Sequence, residues 1–138
     1  MRRVVLDPGV LVSGFISPTG APARLLLEWL AGGFELVVSR KLLDELDRVL
    51  ARPKFRRYTS ESEARAFVAL LRARGTSMED PNHVEKLTRD PRNDYLFALA
   101  AAAGASAIVS GDADLTELPA TPVAVLTPRA FLDMLARS

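Results

Sequence analysis

The sequence has no cysteine and a single histidine among its 138 residues. Without cysteine there is no disulfide framework, thiol nucleophile, iron–sulfur cluster or thiolate zinc site. The lack of cysteine accords with a reducing cytoplasm, which is the expected location. A charge excess is missing too. The chain carries 18 Lys and Arg against 17 Asp and Glu, a net charge of +1. That excludes a protein coating nucleic acid by charge alone, and an acidic solvating tail. No apolar run approaches the roughly 18 residues of a membrane span. Only three apolar residues separate Arg3 from Asp7, fewer than the roughly 7–15 of an export signal. No membrane partner is expected.

Hydrophobic residues make up 49% and charged ones 25%, ordinary proportions for a folded domain. The length suits one domain over residues 1–138, able to bury about two-thirds of its unfolded surface. Val4-Val5-Leu6 is a continuous β-rich run ending at Asp7, the pattern of a strand buried on both faces. Pro22 opens a helix that runs to Leu30 and stops at Gly32-Gly33. Phe34–Val38 reads as a strand, and Ser39 caps a helix ending before Pro53. Ser60 and Glu63 have capping-box spacing before a helix stopping at Gly75. Residues 78–89 are polar and aperiodic. Asp90-Pro91 is a cap followed by proline, and Tyr95–Ala103 is apolar all round, hence a buried helix. Ala107–Val109 and Val123–Leu126 are further strands, and Thr127-Pro128 opens a last helix. Strands alternating with helices predict an α/β domain, its four or five mostly parallel strands covered by helices on both faces.

In such sheets ligands bind at the carboxyl ends of the strands. Two buried strands run into an acid there, Asp7 and Asp112. Each alone is also an ordinary turn residue. Asp94 lies in the first turn of the buried helix, where Asp90 already supplies the cap. Dipole compensation is its structural alternative. On the helix after Ser39, Asp44 faces away from the leucine stripe, while Glu45 and Asp47 flank it, Glu45 narrowly the nearer to the sheet edge. Acids converging on one crevice repel unless a cation joins them. Oxygen donors without cysteine favour Mg²⁺ or Mn²⁺, ions suited to hydrolysing a phosphodiester.

Together, Val4-Val5-Leu6-Asp7, Glu45, Asp90-Pro-Arg-Asn-Asp94-Tyr-Leu-Phe-Ala-Leu-Ala and Ile108-Val-Ser-Gly-Asp112-Ala-Asp114-Leu resemble the PIN-domain ribonucleases, with most likeness to VapC-type toxins. The resemblance covers almost the whole chain, with the motifs in order. It implies a PIN-like fold and a Mg²⁺- or Mn²⁺-dependent endoribonuclease. Asp7, Glu45, Asp94 and Asp112 are the implied catalytic acids. Asp7, Asp94 and Asp112 are the implied metal ligands, with Asp114 an accessory acid at the metal. It further implies an RNA substrate, an antitoxin partner and a homodimer. Where the family usually has Thr or Ser and then Asn after the first acid, this chain has Pro8 and Gly9. That removes a backbone donor, a hydroxyl and an amide beside the first carboxylate.

The basic stretch Arg52-Pro-Lys54-Phe-Arg56-Arg57-Tyr58 suggests RNA contacts by Lys54, Arg56 and Arg57. Its alternative is a helix end followed by a solvated loop. His83 reads as a solvated loop residue, and Trp29 as core, with a dimer or antitoxin groove as its alternative. Arg2 and Arg3 lie at the other end of their strand from the acids. Besides the nuclease, the sequence allows a catalytically weak PIN-fold binding or regulatory module, for which Pro8-Gly9 argues. A receiver domain would need a lysine after a late strand, absent from Val123–Pro128. A phosphatase with Asp-x-Asp at the first strand is excluded by Asp7-Pro8-Gly9.

Overall fold

Val4, Val5 and Leu6 are fully shielded from solvent, and so are Ile108 and Val109. The structure, a computed structural model describing residues 1–138, places these runs side by side at the centre of one sheet. Strand β1 (Arg3–Leu6) pairs with β2 (Glu35–Val38) on one side and β4 (Ala107–Val109) on the other. The edges are β3 (Thr76–Ser77) and β5 (Ala124–Leu126), giving the order β3-β2-β1-β4-β5. All four pairings are parallel. Two-residue β3 has no sequence signal of its own and is recruited by pairing with Val37 and Val38.

Alternate residues of a strand face opposite sides, so the sheet divides the core in two. Val4, Leu6, Leu36, Val38 and Val109 face a large cluster. It is built with α1 (Pro8–Ile16), α2 (Ala21–Leu30), α3 (Arg40–Leu50), α4 (Glu61–Arg74) and Phe131 of α7 (Pro128–Ala136). Val5, Val37 and Ile108 face the smaller cluster, filled chiefly by α5 (Pro91–Ala103). That is why α5 is apolar on every side. It ends at Gly104 in the left-handed region, φ +64°, a conformation glycine adopts freely.

The sequence pattern gave no helix between Asp7 and Gly20, yet α1 is there. Its signal is the one that marked α5: Asp7 caps the helix and Pro8 takes the first turn, where its missing N–H leaves nothing unsatisfied. Gly14 lets α2 pack onto α1, since a Cβ there would lie 2.8 Å from the Pro22 carbonyl oxygen. The single turn α6 (Ala113–Thr116) also went unforeseen, and it too begins at an acid, Asp112. No single helix is long and apolar enough to cross a membrane.

Candidate active site

Because β1 and β4 are parallel neighbours, the chain leaves both at the same edge, through Asp7 and through Ser110-Gly111-Asp112. A cleft of about 500 Å³ opens there. Its lining includes Asp7, Glu45, Asp90, Asn93 and Asp112, with Arg52 and Arg92. Three of the sequence-derived acids therefore share one cleft. Glu45 reaches it from α3, whereas neither Asp44 nor Asp47 lines it.

Three of the lining acids are built alike. Asp7, Asp90 and Asp112 each precede a helix, and each caps it with Oδ1. Asp7 accepts from the Gly9 amide at 3.0 Å, Asp90 from the Arg92 amide at 2.9 Å and Asp112 from the Asp114 amide at 2.9 Å. Capping leaves the second oxygen of each for other use. Asp7 Oδ2 accepts from the Ser110 hydroxyl at 2.8 Å, and Ser110 Oγ in turn accepts from the Asp112 amide at 3.0 Å. Fully buried Ser110 thus joins the first acid to the last. Sequence reasoning passed over it. The available signal was a hydroxyl ending an otherwise apolar strand, one glycine before an acid.

Asp90 Oδ2 accepts from the Arg92 guanidinium at 3.0 Å. Arg92 holds the Asp90 carboxyl below the usual range. In return Asp90 first, then Glu45 and Asp7, hold Arg92 more firmly charged. A guanidinium influenced by three of the acids marks this cleft as one electrostatic unit.

Asp94 stands elsewhere. It is buried, at 6% exposure, and does not line the cleft. Its Oδ1 accepts from the amides of Leu87 at 3.0 Å and Thr88 at 2.7 Å, at the end of the 78–90 loop. Burial pushes its pKa up, but the hydrogen bonds from Leu87 and Thr88 outweigh burial and the net shift is downward. Its neighbour Tyr95 holds the loop's other end by donating to Asp80. Burial first, and then this bond to Asp80, push the phenol's pKa up. Adjacent residues on a helix point about 100° apart, and of this first turn Arg92 and Asn93 line the cleft while Asp94 turns to the loop.

Asp114 lines an adjoining cleft of about 490 Å³, which shares Asp90 and Asn93 with the first. From the basic stretch only Arg52 reaches the acids. Lys54 and Arg57 are exposed and lie over their neighbouring rings, 5.1 Å from Phe55 and 5.5 Å from Tyr58. Arg56 turns inward and donates to the Leu50 carbonyl at the end of α3, with Nε and Nη1 buried. That is a helix-end role, as a cation there complements the dipole. Arg52 and Arg92, not singled out beforehand, are the basic groups that line the cleft with the acids. His83 is exposed, and Arg3 is occupied at the far end of β1 by Glu35.

The donor set fits a hard divalent cation. It is all oxygen, from carboxylates and the Asn93 carboxamide, and four carboxylates face two guanidinium groups. No three acidic or histidine side chains are gathered closely enough to ligate together. A divalent cation held here would therefore draw much of its shell from water.

Comparison with known proteins agrees with this architecture. Residues 3–114 match the PIN domain family. The chain belongs to that family. The PIN match takes in every acid of the cleft. Among solved structures, PAE2754 from Pyrobaculum aerophilum is similar, with TM-score 0.68 and 14% identity over 100% of this chain and 91% of that one. So is VapBC2 from Rickettsia felis, solved bound to a DNA fragment from its promoter. Its TM-score is 0.64, at 12% identity over 91% of this chain and 98% of that one. At such identities the likeness is one of fold. A sequence comparison with curated proteins finds no match.

Proposed function

We propose that this PIN domain is a Mg²⁺- or Mn²⁺-dependent endoribonuclease, acting as the toxin of a toxin–antitoxin pair. The observation that carries the reading is the cleft itself: Asp7, Glu45 and Asp112 face one space at the carboxyl edge of a parallel sheet. Membership of the PIN family and the VapBC2 likeness support it.

Asp7 and Asp112 would hold the cation, with Ser110 fixing the orientation of Asp7. When bound, the ion supplies positive charge opposite the phosphate and makes water a better nucleophile. Glu45 takes no hydrogen bond from another side chain, and its carboxylate accepts the proton of the attacking water. Arg52 and Arg92 meet the phosphate oxygens, which suits guanidinium geometry. The N-termini of α1, α5 and α6 also converge here, and helix N-termini favour anions.

An antitoxin would seat on the groove lined by Phe15, Leu26, Trp29, Leu30 and Phe67, which shares no residue with the acid cleft. Leu27 beside it is 63% exposed, and exposed apolar patches mark interaction sites. Leu27→Asp should release a co-expressed antitoxin without changing cleavage by the free protein.

The main test is cleavage of mixed tRNA and an unstructured RNA with Mg²⁺, Mn²⁺ or EDTA, comparing wild type with Asp112→Asn. Metal-dependent cleavage confined to wild type supports the reading. Cleavage persisting in EDTA or in the variant would sink it. RNA binding without turnover would favour the alternative, a PIN-fold binding module, for which Pro8-Gly9 argues.

A further inference from the structure

The acid cleft borders two surfaces of opposite charge. One is the adjoining recess, where Asp90, Asp114 and Glu117 face a single cation, Arg89. The other starts from Arg52, which lines the cleft but not the recess. Arg52 leads into a turn of 3₁₀ helix, Pro53–Arg57, and then Tyr58. Residues 52–58 contain no acid. Lys54, Arg57 and Tyr58 do not line the cleft, so the turn carries the chain away from it. Its five residues rise roughly 10 Å, the length of a few stacked nucleotides.

The turn is pinned from inside. Phe55 is buried in the larger core cluster, and Arg56 donates to the Leu50 carbonyl that ends α3. Lys54 and Arg57, three residues apart, share the outer face, because positions i and i+3 eclipse in a 3₁₀ helix. Tyr58 is 57% exposed and packs in neither core cluster. The Arg57 guanidinium lies 5.5 Å from its ring centroid. A fixed backbone thus presents two cations and an open ring side by side. That suits single-stranded nucleic acid, whose phosphates meet the cations and whose unpaired bases stack on the ring.

We propose that residues 52–58 are the landing surface for single-stranded RNA running out of the acid cleft. Lys54 and Arg57 meet its phosphates, Tyr58 stacks on a base, and Arg52 leads the backbone to the acids. Arg56 is an anchor of the turn and makes no RNA contact. The strand takes this side because the carboxylates of the recess repel phosphate. A duplex is disfavoured, since its bases are already stacked. The proposal rests on the nuclease reading for the place of the scissile phosphate.

The experiment has two arms on the full chain. In EDTA, fluorescence anisotropy follows binding of a labelled unstructured RNA of about 12 nucleotides, and of its duplex. Tyr58→Ala should weaken single-strand binding by about tenfold and leave duplex binding unchanged. Tyr58→Phe keeps the ring and should stay within about twofold of wild type. Lys54→Gln and Arg57→Gln should each reduce the slope of log affinity against log salt by about 0.7. With Mg²⁺ or Mn²⁺, Tyr58→Ala should raise KM for the same RNA more than it lowers kcat. Unchanged RNA affinity in Tyr58→Ala and in both cation variants would overturn the surface, even with cleavage intact, and would leave the patch to an acidic protein segment. Equal losses of single strand and duplex in Tyr58→Ala would overturn the stacking role. Binding that depends on Tyr58, without cleavage in either metal, would uphold the surface and sink the nuclease reading.

Discussion

The acid cleft has two rims made by different means. One rim, Asp7-Ser110-Asp112, hangs from the ends of β1 and β4, whose last residues are fully buried. The other, Asp90-Arg92-Asn93, opens α5 and is reached through the 78–90 loop. That loop is tied by Asp94 at one end and by Asp80 and Tyr95 at the other. The strand rim inherits its geometry from the sheet. The loop rim has no sheet beneath it and depends on side-chain clamps. Both rims use the same local device, an aspartate capping a helix with one oxygen. A cap and a site residue are therefore not alternatives, since a carboxylate has a second oxygen.

The largest effect should come from breaking the strand rim. Asp7→Asn is expected to lower RNA cleavage on the order of 100-fold or more. Circular dichroism should show the fold intact. Ser110→Ala leaves the acid but removes its donor. Steady-state cleavage should then fall by about 10–100-fold, the usual cost of losing a ligand's hydrogen-bond partner.

Damage to the loop rim should register first in stability. Asp94→Ala leaves the Leu87 and Thr88 amides without their acceptor. It should cost about 1–3 kcal/mol in urea unfolding, with much of this recovered in Asp94→Asn. The clamp also has a pH signature. Asp94 titrates below its ordinary 3.8, so its contribution is complete above that value and is lost as pH falls through the lower folded value. Protection of the Leu87 and Thr88 amides, corrected for the intrinsic pH dependence of exchange, should therefore be steady down to about pH 4 and fall below it, and Asp94→Asn should abolish that acid step.

The smallest expected effect is at Gly9. A Cβ there would meet only Asp7 Oδ1, at an ordinary 3.7 Å. Gly9→Asn should fold normally and raise cleavage a few-fold by adding a donor beside Asp7. An unchanged rate would show that this position is immaterial.

The same contrast explains what could be read from the sequence. The β1 and β4 runs and the acids ending them were legible, because a strand buried on both faces must be continuously apolar and must stop at a polar residue. Glu45 was legible from helical phase, though narrowly. The hold of Asp94 on the Leu87 and Thr88 amides was not legible, because α5 is buried all round with no apolar stripe to set its phase and its partner is an aperiodic loop. Helix α1 was missed because two glycines and a uniformly apolar run hid the Asp7-Pro8 cap. Arg56 drew attention as part of a charge run, but a neighbouring helix end, invisible in composition, claims its guanidinium.

The most direct test compares Mn²⁺-dependent RNA cleavage by wild type and Asp7→Asn. The account predicts that wild type cleaves and that Asp7→Asn does not. Full activity in Asp7→Asn would contradict it.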